Sequence, residues 1–85
     1  MDKYSGNDNY GKPKQNYIDS LTKMTDEELH DETRQKIWLS AYANNNPRSD
    51  YHWQCDACYD EWTDNRSNES GYEKAYNEEY QANFG

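Results

Sequence analysis

Apolar side chains recur at helical spacing in three stretches of the chain. The densest is Tyr51 to Trp62, where Tyr51, Cys55, Cys58, Tyr59 and Trp62 follow at steps of four, three, one and three. At ~3.6 residues per turn these positions form one stripe of a helix. Asp56, Asp60 and Asp64 recur at steps of four on a neighbouring stripe. A helix over about 50–64 is predicted, with Ser49 or Asp50 as its cap.

Upstream, Met24-Thr-Asp-Glu-Glu-Leu29 has the form of a helix start. Thr25 is placed to accept from the amide of Glu28, and the Glu28 carboxylate to reach back to the amide of Thr25. Met24 and Leu29 flank this box as a hydrophobic staple. Asp26, Glu27 and Glu28 suit the positive end of the helix dipole. The predicted helix, about 26–43, presents Leu29, Thr33, Ile37, Trp38, Ala41 and Tyr42. Three asparagines before Pro47 end it, because the residue before proline disfavours helical geometry. A third helix, about 69–83, carries Tyr72, Ala75, Tyr76 and Tyr80 on one side. Ser67 or Asn68 caps it, and Gly71 weakens its first turn by up to ~1 kcal/mol.

Residues 1–17 have no apolar period and read as a flexible polar tail. Tyr4, Tyr10 and Tyr17 would be its contacts if it ordered on a partner. Tyr17, Ile18 and Leu21 have the spacing of one helical turn that packs on the domain. The expected organisation is a tail over 1–23 and an acidic helical domain over 24–85. The expected fold is all-α: a small antiparallel three-helix bundle.

Composition changes the picture of the core. The 85 residues include no valine, and the aliphatic set is Ile18, Leu21, Leu29, Ile37 and Leu39. Nine Tyr and three Trp stand in for the rest, each able to remove ~150–250 Å² from water. Tyr51, Tyr59, Trp62, Tyr72 and Tyr76 are the expected core aromatics. Trp53, Tyr80 and the tail tyrosines are left as interface candidates.

Charge changes the picture of the partner. The net charge is −8. Residues 1–23 carry four lysines against three aspartates, and residues 24–85 carry five basic against fourteen acidic side chains. Such a surface repels nucleic acid and acidic membranes and attracts basic proteins. Asp56, Asp60 and Asp64, with Glu69 and Glu73 on the next helix, are spaced to imitate a short run of phosphates. Asp26, Glu27, Asp31 and Glu32 make a second patch. The alternative is an ordinary solvated acidic face.

Candidate chemistry is sparse. His52, Cys55 and Cys58 form H-x-x-C-x-x-C, with His30 as the fourth possible zinc ligand. On one continuous helix the three diverge, so neither metal nor cofactor is expected. Carboxylates around the thiols disfavour a reactive thiolate. The cysteines read as small buried apolar residues, reduced and cytoplasmic in the absence of a signal-like apolar segment. No phosphate loop, HExxH or nucleophile elbow is present, so an enzyme is not expected.

Lys36-Ile-Trp-Leu-Ser-Ala-Tyr-Ala43 followed by Asp56-Ala-Cys-Tyr-Asp-Glu-Trp62 resembles small phage-encoded accessory proteins. Many of those end in a helix of the form A-D-E-A-L with an aromatic soon after. Cys58 and Trp62 replace the alanine and leucine of that form. The resemblance implies a host-cytoplasmic inhibitor of the anti-restriction or anti-CRISPR kind, occupying a nucleic-acid site on a protein. The other class left open is a structural or assembly adaptor, binding through Tyr and Trp to a partner or to itself as a dimer.

Overall fold

The computed structural model describes residues 6–43, 45, 46 and 49–84. They form four helices: α1 (Lys14–Thr22), α2 (Asp26–Tyr42), α3 (Asp50–Asp60) and α4 (Glu69–Phe84). A π-helical turn over Glu61–Asn65 continues α3. No strand occurs among the described residues, only a bridge between Asn7 and Pro13. None of the helices is long and apolar enough to cross a membrane. The Cα radius of gyration is 12.7 Å, against ~12 Å for a compact chain of this length.

α1 lies in the stretch that the hydrophobic pattern assigns to the tail. Two left-handed glycines, Gly6 (φ 89°) and Gly11 (φ 81°), fold the chain back ahead of it. The Asp8 carboxylate accepts from the amides of Tyr10 and Lys12, both at 2.9 Å. The amide of Asn9 donates to the Asp50 carboxylate at 3.1 Å, tying this turn to the start of α3. Leu21 is fully buried, and Tyr17 and Ile18 pack against the same cluster. The stretch expected to be a tail thus contains α1 and contributes Leu21 to the core, and residues 1–5 lie outside the described residues. Within this polar segment Tyr17, Ile18 and Leu21 face the core, while Tyr10 stays exposed.

α2 begins as its sequence predicts. Thr25 accepts from the Glu28 amide at 3.1 Å, and Glu28 accepts from the Thr25 amide at 2.9 Å. At its other end His52 reaches back from α3. Its Nε2–H is shared between the carbonyls of Ala43 at 3.1 Å and Asn46 at 3.0 Å, while Nδ1 meets Ser40 Oγ at 2.9 Å. Ser49 caps α3 by accepting from the Tyr51 amide. Asn68 serves α4, accepting from the Gly71 amide at 3.3 Å.

The core is Leu21, Leu29, Ala57, Cys58 and Trp62, with Ala75 and Thr33 also buried. Trp62 is its largest member. Burying a ring of that size is worth at most ~4–6 kcal/mol by area. Its indole N–H donates to Thr33 Oγ1 at 3.0 Å, and Thr33 donates to the Leu29 carbonyl at 2.6 Å. The expected division of the aromatics is only partly met. Trp62 is buried and Tyr72 half-buried, but Tyr51, Tyr59 and Tyr76 are exposed. Small residues, Ala57, Cys58 and Ala75, fill the places those rings were expected to take.

The π-turn builds a tie at the end of the helix that the pattern predicts over about 50–64. The Arg66 amide donates to the Glu61 carbonyl five residues back at 3.1 Å. That winding buries the Glu61 carboxylate beside Arg66 Nε at 2.9 Å. Arg66 also bonds Asp26 at 2.6 Å and the carbonyls of Leu21 at 3.0 Å and Met24 at 2.7 Å. Burial works against its charge, but Glu61 and Asp26 outweigh it and hold the guanidinium above its usual range.

Candidate functional site

The acidic row lies on α3 and α4. Asp56 is exposed and Asp60 half-exposed on α3; Glu69 and Glu73 are exposed on α4. Tyr59 Oη reaches toward Glu69 at 3.5 Å, linking the two helices. Asp64 is exposed but falls inside the π-turn. That turn advances by a smaller angle per residue than an α-helix, so Asp64 leaves the line that Asp56 and Asp60 begin. A step of four marks one face only while the winding stays constant.

Three cations are paired with other carboxylates, while Asp56, Glu69 and Glu73 are exposed. Arg34 pairs with Glu79 at 2.9 Å and lies 3.7 Å from Glu78. Lys36 pairs with Glu32 at 3.3 Å. Arg66 is held by Glu61 and Asp26. The second acidic patch is partly engaged: Asp26, Glu27 and Asp31 are exposed and Glu32 is half-buried. Asp26 holds Arg66, and the half-buried Glu32 accepts from Tyr17 at 2.6 Å. Asp31 lies 3.5 Å from His30, and Glu27 is exposed.

The four metal candidates are distributed rather than gathered. His30 bonds Glu78 at 2.8 Å. His52 is occupied by Ser40 and two backbone carbonyls. Cys55 contacts Tyr72 Oη at 3.8 Å and Cys58 contacts Tyr17 Oη at 3.7 Å. Among the described residues no three His, Cys, Asp or Glu side chains come together to hold a metal. Burial, partly opposed by the hydrogen bond with Tyr17, pushes the Cys58 thiol up to about 11. Burial raises Cys55 as well. Both shifts disfavour the thiolate, the form that redox chemistry uses.

The two aromatic interface candidates differ. Trp53 is half-buried against the core. Tyr17 meets its ring edge-on at 5.5 Å, Lys14 lies 5.2 Å over it, and its N–H donates to Asp50 at 2.9 Å. It joins α1 to α3 instead of standing out as an anchor. Tyr80 is 53% exposed. It ends a ladder of near-parallel rings in which Tyr72, Tyr76 and Tyr80 follow at 6.4 Å per step. Ile37, Trp38, Ala41, Tyr76, Glu79 and Tyr80 line an apolar hollow between α2 and α4. Tyr72, Glu73, Tyr76 and Asn77 line a second, shallower one. The exposure of Tyr76 and Trp38 is what the sequence reading missed. The i, i+4 spacing of the three tyrosines was the available signal.

The site is thus a carboxylate-bearing surface interleaved with tyrosine rings. It offers charge and flat apolar faces to a ligand. Compared with family models, curated proteins and solved structures, the chain matches none.

Proposed function

We propose that the chain is a non-enzymatic binding protein whose α3–α4 surface occupies a basic, nucleic-acid-binding surface of a partner protein. In this reading it is a cytoplasmic inhibitor of the small phage-encoded kind, acting as a partial nucleic-acid mimic. One observation carries it. Arg34, Lys36 and Arg66 are paired with Glu32, Glu61, Glu79 and Asp26, while Asp56, Glu69 and Glu73 stay exposed on neighbouring turns. The reading takes α2, α3 and α4 as an up-down-up antiparallel core with α1 laid across it. The meetings of His52 with Ser40 and of Trp62 with Thr33 support that order.

The test is capture on the immobilised protein, with duplex DNA or RNA as competitor. Proteins retained by the wild type are expected to be released by the nucleic acid and by added salt. Replacing Asp56→Asn, Glu69→Gln and Glu73→Gln together is expected to weaken binding roughly ten-fold or more, since several small rim terms add. Retention indifferent to both nucleic acid and the triple substitution would overturn the reading. The second reading, an adaptor or dimer, is favoured by the apolar hollow beside Trp38, which is 39% exposed. Self-association that persists at high salt would mark it.

A further inference from the structure

The shallow hollow on α4 joins two kinds of wall. Tyr72 and Tyr76 supply ring surface, and Glu73 and Asn77 supply a carboxylate and an amide at the edge. The rings are held in place. Tyr59 packs edge-on against Tyr72 at 4.9 Å and 88°, and Cys55 Sγ contacts Tyr72 Oη at 3.8 Å. Tyr76 lies at 28° to Tyr72 and 18° to Tyr80, so the faces repeat with each turn. Tyr76 is 46% exposed.

Elsewhere in the chain aromatic faces already take cations. Lys14 lies over Trp53, Lys36 over Tyr17 and Tyr51, and Arg66 over Trp62, all between 5.2 and 5.8 Å from the ring centre. The ring wall on α4 has a free carboxylate beside it instead. Nucleobases also stack on tyrosine, but Glu69, Glu73 and Asp56 would repel their phosphates. A group that is planar and cationic together satisfies ring and carboxylate at once. A guanidinium has both properties, whereas an ammonium is a compact and strongly hydrated charge.

Resting on the reading above, we infer that the Tyr72–Glu73–Tyr76–Asn77 hollow is an arginine side-chain site, so that the partner is an arginine-rich protein surface rather than a merely basic one. The ladder gives the occupant its orientation, and the acidic surroundings give it its sign.

Titration of the intact protein with nona-arginine and nona-lysine separates the two levels. Nona-arginine is expected to bind more tightly. Tyr76→Phe keeps the ring face and should keep the preference. Tyr76→Leu should reduce it about two- to five-fold, the size of one exposed cation–π contact. If Tyr76→Leu lowers helicity, the wild-type ring resonances decide: Tyr72 and Tyr76 should shift with nona-arginine and not with nona-lysine. Equal affinities, or a preference that Tyr76→Leu leaves whole, would overturn the arginine site. If those equal affinities also fall with the triple carboxylate substitution, the basic-partner reading survives alone. If neither peptide binds at low salt, both readings fall.

Discussion

Gly71 is a residue whose local and tertiary roles have opposite signs. On an exposed helix position alanine is favoured over glycine by ~1 kcal/mol, and from the sequence Gly71 reads as a weak point of α4. In the fold, a Cβ there would sit 2.5 Å from Trp62 Cε3 and 2.6 Å from Cζ3. The ring is buried and pinned to Thr33, so it has little freedom to give way. Gly71→Ala is therefore expected to destabilise by ~1–3 kcal/mol, the usual cost of overpacking. A lower denaturant midpoint would agree. An unchanged or higher midpoint would mean that the indole slides aside.

Among the elements, the π-turn and Arg66 decide how the helices meet. Arg66 holds the last carbonyls of the α1 region, the first turn of α2 and the buried Glu61. Removing it takes the counter-charge from the buried Glu61 carboxylate, which keeps only the Asn65 amide, and takes a donor from two carbonyls. Arg66→Ala is expected to cost ~3 kcal/mol or more, enough to unfold a domain this small. Arg66→Lys should recover only part of that, because an ammonium cannot replace the fork. Denaturant titration of the pair checks both, and a lysine variant as stable as wild type would contradict the role of the fork. This tie also marks the limit of what the sequence made legible. The start of α2 was readable in full, since a capping box involves residues three apart. The extents of α2 and α4 followed from apolar period and turn residues. Arg66 could not be paired with Asp26 and Leu21 by any local rule, as those partners lie 40 and 45 residues away. α1 was legible only as one turn over Tyr17, Ile18 and Leu21, because the partners that extend it, Leu29, Cys58 and Trp53, are remote in sequence. Of the candidate surface named from the sequence, Asp56, Glu69 and Glu73 are exposed, while Trp53 is partly covered by Tyr17 and Lys14, contacts too remote in sequence for any local rule to announce.

For the whole molecule, the small core makes stability sensitive to alkali. Burial and neighbouring anions keep Tyr17 and Tyr72 protonated well above the usual range, and burial holds the Cys58 thiol at about 11. A thiol free in the unfolded chain ionises near 9.0. Raised folded values mean that stability is fully present below the unfolded value and is lost as pH rises toward the folded one. Cys58 alone should remove up to ~3 kcal/mol between about pH 9 and 11, and the two phenols act in the same direction. Unfolding midpoints at pH 7, 9 and 10.5 should fall in that order. Cys58→Ala should flatten the first part of the decline, and a profile indifferent to pH over this range would refute the assignment.

The graded burial of the three tryptophans gives the protein an internal set of optical probes. Trp62 is 3% exposed, beneath the guanidinium of Arg66 and against the backbone of α4. Trp38 opens onto the hollow between α2 and α4. Emission from Trp62 should be short in wavelength and shielded from acrylamide, and should redden only on global unfolding. Trp38 should be quenched in the folded state and become shielded when anything seats in that hollow. Two wavelengths of one intrinsic signal can thus separate a ligand on the surface from a change in the fold, without a label.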